Sequence, residues 1–301
     1  MKQQILALTA VVSLGLLTAC GSSSADEPEK GSESHQPGAS ISAEKDKAVA
    51  DNVPEEFLDG VKVAVYSDWA PEEYVEEGEF KGWSVQLANI WAQKMGVDFS
   101  LNASGFDAIV PGLDNNRYDM AVASLGVTDE RLKTLDFVPM QKEGTSFAWS
   151  KNKPDNAVQE ISGVCGKTVA VLTGAWEYDY LTSHNEKLCG DDQMDIQQFK
   201  DQPSAELAVT SNRVDLVAAG SGKLGYAAKQ SGSLEVGEFI VDAVYNGVGV
   251  PKDSPLGPVL REAMQSAIDD GTYGDLRRAW GASEVGDLKK AVLITEDKPN
   301  G

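Results

Sequence analysis

The chain contains the same local pattern twice, namely an apolar strand, a turn of small residues and the start of a helix. In the first copy, the run AVASLG at residues 121–126 leads to Thr128 and Arg131. In the second copy, the run VAVL at residues 169–172 leads to the turn TGAW and a predicted helix from residue 177. Alternating strands and helices predict an α/β chain with mainly parallel sheets. Because the pattern restarts, we predict two lobes. Each turn follows a strand, at the edge where open α/β sheets bind ligands.

Apolar periodicity and turn residues predict the other elements. Helices are predicted over residues 84–95 with Ser84 as the N-cap, 107–113, 205–211, 256–269 and 273–280, and helical spacing also follows Thr128. Strands are predicted over residues 61–65, 99–101, 119–123, 168–172, 214–218 and 248–250. Leu87, Trp91 and Met95 share one face of the first helix, so we expect them in the core.

The N-terminus has the features of an export signal. Lys2 precedes an apolar stretch over residues 5–17, which is shorter than the about 20 residues that a spanning helix needs. The sequence LTAC at residues 17–20 resembles a bacterial lipobox, in which the cysteine becomes lipid-modified and forms the new N-terminus. We predict a lipoprotein signal peptide over residues 1–20 and an anchor through Cys20 at the outer face of the cytoplasmic membrane. The alternative is an ordinary cleaved signal in which Cys20 has no such role.

The segment after Cys20 has the composition of a spacer. Residues 21–56 are rich in Ser, Glu, Pro and Gly and contain no aromatic residue. Such a segment buries too little apolar surface to offset the chain entropy lost on folding. We therefore predict a disordered acidic tether over residues 21–56 and a folded body from Phe57 onward.

Charge and cysteine content narrow the function. A net charge of −21 argues against nucleic acid and against electrostatic docking on anionic lipid. Two histidines and three cysteines leave little for a transition-metal site, so we predict no metal and no cofactor. Outside the cytoplasm, the even pair Cys165 and Cys189 predicts a disulfide. The alternative is two unpaired buried thiols.

The stretch from Thr128 to Arg131 has the chemistry to hold a small anion. A guanidinium offers a rigid fork of donors that matches a carboxylate. A helix N-terminus adds unpaired N–H donors and the positive end of a dipole. The alternative is a surface ion pair of Arg131 with Asp129 or Asp136.

Short motifs follow one another through residues 60–281. They are WAP (69–71), GWS (82–84), FDAIVP (106–111), RYD (117–119), TDER (128–131), DF (136–137), GK (166–167), NRVD (212–215) and DGTY (270–273). In order and spacing they resemble family 3 of the bacterial solute-binding proteins, the polar amino-acid receptors of ABC importers. The resemblance implies a two-lobed periplasmic-binding-protein-like (type II) α/β fold. Each lobe is a mainly parallel sheet flanked by helices, and two strands form the hinge. We place lobe 1 at residues 57–149 plus 247–301 and lobe 2 at residues 150–246.

The resemblance also implies a set of ligand contacts. Members of the family hold a ligand carboxylate with the arginine of the Thr-x-x-Arg element, here Arg131, assisted by backbone N–H groups of both lobes. The predicted ligand-binding residues are Trp69, Phe106, Ser124, Gly126, Thr128, Arg131, Thr173, Gly174, Ala175, Trp176 and Gly220.

Three positions depart from the family pattern. The second-lobe Asp that pairs with a ligand ammonium is replaced by Gly220, a first-lobe serine by Gly126, and the aromatic residue after the proline by Glu72. A buried ammonium without a partner is costly. Two alternatives follow. In the first, the ligand has an alkylated, cyclised or absent nitrogen, as in betaine-like or ectoine-like solutes, and an aromatic cage of Trp69, Phe106 and Trp176 surrounds it. Ordinary amino acids would then bind more weakly.

In the second alternative, another acid takes over the ammonium, and the candidates are Glu72, Glu177 and Asp68. With either ligand, the predicted function is that of a monomeric lipoprotein that binds a small carboxylate-bearing solute without catalysis and docks on ABC permease subunits. A different possibility is an enzyme of the same fold acting on a cyclic carboxylic acid, resembling cyclohexadienyl dehydratases, with Glu177 or Glu72 as the acid. A third is a sensory ligand-binding protein.

Overall fold

The computed structural model describes residues 41–281 and 287–299. The predicted signal peptide, Cys20 and residues 21–40 of the predicted tether lie outside the described residues. The strands are β1 (Val61–Tyr66), β2 (Asp68–Trp69), β3 (Glu73–Glu76), β4 (Glu79–Lys81), β5 (Phe99–Ser104), β6 (Met120–Gly126), β7 (Leu135–Ser150), β8 (Thr168–Leu172), β9 (Asp195–Phe199), β10 (Leu216–Gly220), β11 (Leu234–Val236) and β12 (Val241–Pro251). The helices are α1 (Lys47–Asp51), α2 (Trp83–Met95), α3 (Phe106–Asp114), α4 (Trp176–Cys189), α5 (Gln202–Thr210), α6 (Ser221–Ser231), α7 (Leu256–Asp269) and α8 (Thr272–Ala279).

Two parallel sheets are joined by two long strands, which confirms the predicted two-lobed α/β fold. The strand order is β5-β1-β6-β12-β7-β10-β8-β9, and β11 pairs with β7. Strands β5, β1 and β6 are parallel in lobe 1, and β10, β8 and β9 are parallel in lobe 2. Strands β7 and β12 are antiparallel to each other and contact both groups. They are the hinge that the resemblance implied.

The hinge strands change lobes close to Glu143. Within β7, the residues up to Glu143 pair with β12, Thr145 pairs with both β12 and β10, and Ser146 to Trp149 pair with β10 of the second lobe. The chain therefore enters lobe 2 about five residues before the boundary predicted at residues 149 and 150. This crossing could not be predicted from local pattern, because Pro139, Glu143 and Gly144 interrupt the pattern of a strand in β7.

The central strands of each lobe are completely buried, and their sequences are correspondingly apolar. Every residue of β6 and β10 is buried, as expected for strands of a parallel sheet covered by helices on both faces. On α2, Leu87, Trp91 and Met95 are fully buried, which confirms their predicted core face.

The start of α2 differs from the prediction. The helix begins at Trp83 with Gly82 as its N-cap, so Ser84 is not the cap. A Cβ at Gly82 would lie 2.0 Å from the carbonyl oxygen of Glu72, and this close backbone approach requires glycine. The Ser84 hydroxyl instead lies within hydrogen-bond distance of the Glu72 carbonyl, at 2.7 Å, and of the Glu73 carboxyl group, at 2.5 Å.

The helical spacing after Thr128 is a second correction. Only one 3-10 turn forms there, over Arg131–Lys133. Strand β7 begins at Leu135, directly after this turn. The anion-binding helix N-terminus expected near Thr128 is therefore absent from this part of the structure.

The predicted tether extends too far toward the body. Residues 41–56 are described, and α1 packs against α2 and α7. Val49 and Val53 are buried in the lobe 1 core, and the Asp46 carboxylate caps α1 by accepting from the Ala48 N–H at 2.9 Å. Two apolar residues spaced by four positions were too weak a signal in a polar segment to predict this helix.

Cys165 and Cys189 form a disulfide, which confirms the predicted pairing. It ties the segment before β8 to the last residue of α4. Among the described residues, no helix is long and apolar enough to cross a membrane.

Candidate ligand cleft

The predicted site residues come from both lobes. In lobe 1, Ser124 and Gly126 end β6, Trp69 follows β1, and Phe106 starts α3. In lobe 2, residues 173–176 join β8 to α4. The strands of each parallel sheet end facing the other lobe, and this topology brings the two turns noted in the sequence to one cleft.

Arg131 bridges the lobes. Its Nη1 donates to the Gly126 carbonyl at 2.6 Å, and its Nη2 donates to the Gly174 carbonyl of lobe 2 at 2.7 Å. The guanidinium also lies over the Phe106 ring at 5.8 Å. Its hydrogen bonds thus go to backbone oxygens of the cleft rather than to Asp129 or Asp136, which argues against a surface ion pair.

Burial lowers the pKa of Arg131 to about 10, and the nearby carboxylate of Glu177 opposes this shift. The guanidinium therefore keeps its charge at neutral pH. Thr128 supports the turn, because its Oγ1 accepts from the Arg131 backbone N–H at 3.3 Å.

Other contacts across the cleft hold the lobes together. The Tyr66 hydroxyl of lobe 1 accepts from the Gln202 backbone N–H of lobe 2 at 3.2 Å. The Glu143 carboxylate of the hinge accepts from the Gly222 backbone N–H at 2.5 Å. The structure therefore represents a conformation in which the lobes touch along the cleft.

The three aromatic residues predicted to form a cage are all buried. The Tyr66 ring lies 6.3 Å from the Trp69 ring and 5.4 Å from the Phe106 ring. Tyr66, Trp69 and Phe106 therefore form one wall of the cleft. Trp176 packs on Gly126, where a Cβ would lie 2.7 Å from the indole Cε3. The indole therefore occupies the space that a serine side chain at residue 126 would need. The indole N–H groups of Trp69 and Trp176 have no hydrogen-bond acceptor in the structure.

Four glutamates are buried around the cleft and hinge. Glu72 and Glu73 belong to lobe 1, Glu143 lies on β7, and Glu177 lies in the first turn of α4. Burial raises the pKa of Glu73 and of Glu177 to about 8. Burial also raises the pKa of Glu72, and the charges of Glu143 and Glu73 raise it further. The pKa of Glu143 is likewise raised by burial.

These glutamates differ in their partners. Glu73 accepts from the hydroxyls of Ser84 and Ser124 at 2.5 and 3.1 Å. Neither carboxylate oxygen of Glu177 has a hydrogen-bond partner, and neither does Oε2 of Glu72. Of the acids considered from the sequence, Glu72 and Glu177 are buried, whereas Asp68 is exposed.

Ser124 adopts an unusual backbone conformation. Its φ angle is 44°, in the left-handed region that a residue with a side chain seldom occupies. This turns the hydroxyl toward Glu73. The predicted ligand contact of Ser124 therefore competes with a hydrogen bond already made. Thr173 is also engaged, because its hydroxyl donates to the Phe199 carbonyl at 3.0 Å.

Gly220 contacts a residue that the sequence analysis missed. A Cβ at Gly220 would lie 2.8 Å from Oε2 of Glu143, so the hinge carboxylate fills the space beside this glycine. Thr145, two residues after Glu143, pairs with Gly220 in the sheet. The available signal was a lone acid in the apolar stretch FVPMQKEGTSFAW at residues 137–149. Its contact with residue 220 depends on strand register, which local pattern cannot give.

The arrangement provides the half-buried guanidinium of Arg131 and several buried carboxyl groups. It can bind a molecule that carries both an anionic and a cationic group. Within the described ranges, no group of three or more ligating side chains could hold a metal ion.

Known proteins share this sequence pattern and fold. A sequence profile of the bacterial extracellular solute-binding proteins, family 3, matches residues 61–283. The chain is 28% identical to the arginine-binding protein ArgT of Corynebacterium glutamicum, over 74% of this chain and 74% of that protein. It is 24% identical to the arginine-binding extracellular protein ArtP of Bacillus subtilis (strain 168), over 94% of this chain and 100% of that protein. The structure of an ancestral arginine-binding protein bound to arginine superimposes with a TM-score of 0.67 and 24% identity, covering 73% of this chain and 97% of that one.

Proposed function

Because the chain belongs to the bacterial extracellular solute-binding proteins, family 3, we propose that it is the substrate-binding lipoprotein of an ABC importer. We further propose that its ligand is an α-amino acid with a cationic side chain. Family 3 proteins are extracytoplasmic, and the relatives described above are named as amino-acid-binding proteins.

The observation that carries this proposal is the contact of Arg131 with both lobes. Its guanidinium binds one carbonyl from each lobe at the bottom of the cleft. A ligand carboxylate that replaces the Gly174 carbonyl would gain a charge-assisted bidentate contact, which is stronger than a bond between an arginine and a neutral oxygen. Binding of the carboxylate and closure of the lobes are thereby linked through one side chain.

The buried glutamates support a cationic ligand. Carboxyl oxygens of Glu72 and Glu177 are unpaired, and such groups are costly to bury as anions without a positive partner. An amino acid with a cationic side chain would supply this positive partner. This favours the alternative in which other acids replace the missing second-lobe Asp, over the alternative of a betaine-like or ectoine-like ligand without a free ammonium.

Mass spectrometry of the ligand retained through native purification tests the ligand class. We expect arginine, lysine or ornithine at a stoichiometry near one per chain. Retention of a quaternary or cyclic solute with no free ammonium would overturn the proposed ligand class. It would instead favour the alternative in which an aromatic cage surrounds the ligand.

The lipid anchor is a separate part of the proposal. It is supported by the LTAC sequence before residue 21. Expression of the full chain with a radiolabelled fatty acid tests it, because wild type should incorporate label and Cys20→Ser should not. Equal labelling of both proteins would show that Cys20 is not the modified residue.

An enzymatic role is the alternative with a specific observation behind it. Glu177, whose pKa is raised to about 8 by burial, holds a proton at neutral pH and lies near Arg131. A general acid beside a carboxylate clamp is what elimination from a cyclic carboxylic acid needs. Incubation with prephenate, followed by absorbance and NMR, tests it. We expect no turnover, and turnover lost in Glu177→Gln would establish the enzyme instead.

A further inference from the structure

A cavity of about 680 Å³ lies where the hinge meets both lobes. Its lining includes Glu72 and Trp83 of lobe 1, Glu143 of β7, and Gly222 and Tyr226 of α6. Glu72 lies between β2 and β3, whereas Gly222 lies in the first turn of α6 in lobe 2. Because these two residues belong to different lobes, any opening about the hinge changes the distance between them.

The carboxyl groups of Glu72 and Glu143 meet at Gly222. A Cβ at this glycine would lie 2.9 Å from Oε1 of Glu143 and 3.2 Å from Oε1 of Glu72. A carboxyl group of lobe 1 and one of the hinge therefore converge on the same point of lobe 2. When two carboxyl groups share a site, the negative charge of one raises the pKa of the other.

Glu143 has the hydrogen-bond donors of an ionised carboxylate. It accepts from the Gly222 N–H at 2.5 Å and from the side-chain amides of Asn246 and Gln141 at 3.1 and 3.2 Å. The Ser221 hydroxyl lies 3.5 Å from its Oε1. Hydrogen bonds to the charged form of a carboxyl group stabilise that form. Of the two acids, Glu143 is therefore the one that retains its negative charge.

Glu72 lacks such compensation. Its Oε2 has no hydrogen-bond partner, although only 2% of the residue is exposed. Burial raises the pKa of Glu72 well above its usual range, and the charges of Glu143 and Glu73 raise it further. A buried carboxylate without a partner is costly, whereas a protonated carboxyl group has no charge to desolvate.

Four positive groups lie near this carboxyl pair, but among the described residues none of them donates a hydrogen bond to either acid. Lys223 of α6 pairs with Glu206 at 2.6 Å, and Arg277 of α8 pairs with Asp287 at 3.3 Å. The charge of Lys223 only partly opposes the raised pKa of Glu72. The other two positive groups line the cavity and are solvent-exposed, namely Lys142 and Lys229.

We propose that Glu72 takes up a proton from solvent when the lobes close and releases it when they open. In the closed form, the proton removes the charge that would oppose both the approach of Glu143 and the burial of Oε2. In an open form, water reaches Glu72, which then ionises as an ordinary carboxylate. The inference goes beyond the proposed function and does not depend on the ligand class. It leaves Glu177 as the buried acid that can pair with a cationic ligand.

The direction of the pH effect follows from this exchange of a proton. A group whose pKa is higher in the closed form than in the open form favours closure fully at a pH below both values. This contribution is lost as the pH rises from the usual range of a glutamate through the raised pKa of the closed form. Uptake of one proton changes the equilibrium between open and closed forms by up to about tenfold per pH unit.

X-ray scattering of the purified, ligand-free protein between about pH 5.5 and 8 tests the inference without any ligand. The radius of gyration of wild type should increase as the pH rises. Glu72→Gln keeps the shape of the side chain but cannot ionise, so its radius should stay at the low-pH value. Glu79→Gln, an exposed glutamate of β4, is the matched control and should follow wild type. A wild-type radius that does not change with pH, or a Glu72→Gln radius that follows wild type, would overturn the inference.

Calorimetry with arginine as the probe, in buffers of different ionisation enthalpy, counts the protons that accompany binding. Wild type should take up about 0.5–1 proton per chain more than Glu72→Gln near neutral pH. The comparison cancels any proton that arginine displaces from Glu177. Equal counts would contradict the role of Glu72. Absence of arginine binding would overturn the proposed ligand class instead, and the scattering result would then decide the role of Glu72.

The variant Glu177→Gln separates the two buried acids. Its radius of gyration should still increase with pH, as in wild type. If the increase disappears in Glu177→Gln, the exchanged proton belongs to Glu177 and the inference is wrong. This comparison also decides the question if Glu72→Gln fails to fold, and thermal unfolding shows whether each variant is folded.

Discussion

The two ends of the cleft treat charge in opposite ways. At one end, the Arg131 guanidinium donates hydrogen bonds to the carbonyls of Gly126 and Gly174, one in each lobe. At the other end, Glu72 and Glu73 of lobe 1 each bury one carboxyl oxygen that has no partner. Backbone carbonyl groups accept hydrogen bonds from the guanidinium when no ligand is bound. The buried acids, in contrast, are either protonated or need a positively charged partner. We propose that the guanidinium drives closure of the lobes and that the buried acids select the ligand.

Removal of the guanidinium should have the largest effect on this contrast. Arg131→Ala is expected to weaken binding of the true ligand by about 2–5 kcal/mol, because the ligand carboxylate loses its charged partner in a buried site. Titration calorimetry measures the change. Arg131→Lys is the control, because it keeps the positive charge but loses the two parallel N–H donors of the guanidinium. Its ligand affinity should lie between those of wild type and Arg131→Ala. Affinity close to wild type in Arg131→Ala would show that another group holds the carboxylate.

A methyl group at the arginine end should disturb the closed lobes. In Gly126→Ala, the new Cβ would lie 2.7 Å from the Trp176 indole, so the ring must move. We expect a loss of about 1–3 kcal/mol in the stability of the closed form, as for other overpacked sites. The radius of gyration from X-ray scattering without ligand should increase. Gly225→Ala is the control, since nothing lies within 4 Å of its Cβ. Equal scattering of both variants would contradict the packing of Trp176 on Gly126.

The buried glutamates should make the stability of the protein depend on pH, whereas Arg131 keeps its charge across the neutral range. Burial raises the pKa of Glu73 and Glu177 from 4.5 to about 8, so the folded protein retains protons that the unfolded chain has released. This contribution is complete below pH 4.5 and is lost as the pH rises through 8. Each group contributes a slope of at most about 1.4 kcal/mol per pH unit between these values.

Urea unfolding of the ligand-free protein at several pH values between those limits measures this slope. Wild type should lose stability as the pH rises, and Glu177→Gln should have a shallower slope. Glu79→Gln should behave as wild type. A wild-type stability that increases over this interval would mean that the buried acids are ionised and already paired.

Local pattern was sufficient where an element is apolar and bounded by turn residues. Strand β8 and helix α7 have the predicted limits, Thr168–Leu172 and Leu256–Asp269. It failed for β7, because Pro139 and Gly144 interrupt the strand pattern, and for α6, because Gly222 and Gly225 lower its helix propensity. Both missed elements are held by tertiary contacts that no short window contains.

The same division applies to the site. Arg131 was predicted from the Thr-x-x-Arg motif, and the structure places it in the cleft. Its Gly174 partner comes from the other lobe and follows only from the closed arrangement. Gly220 and Gly126 were predicted as gaps in the family pattern, but the side chains that fill those gaps, Glu143 and Trp176, were not matched to them. A sequence shows that glycine replaces a larger residue at a position, but it does not show which distant side chain fills the space beside that glycine.

We propose that the cleft recognises an α-amino acid whose side chain carries a second positive charge. Calorimetry of the purified, ligand-stripped protein at neutral pH with arginine, lysine, glutamine, glycine betaine and ectoine tests it most directly. We expect arginine or lysine to be the tightest ligand, at least tenfold ahead of glutamine, glycine betaine and ectoine, a margin of about 1.4 kcal/mol. Tightest binding of glycine betaine, ectoine or glutamine would contradict it.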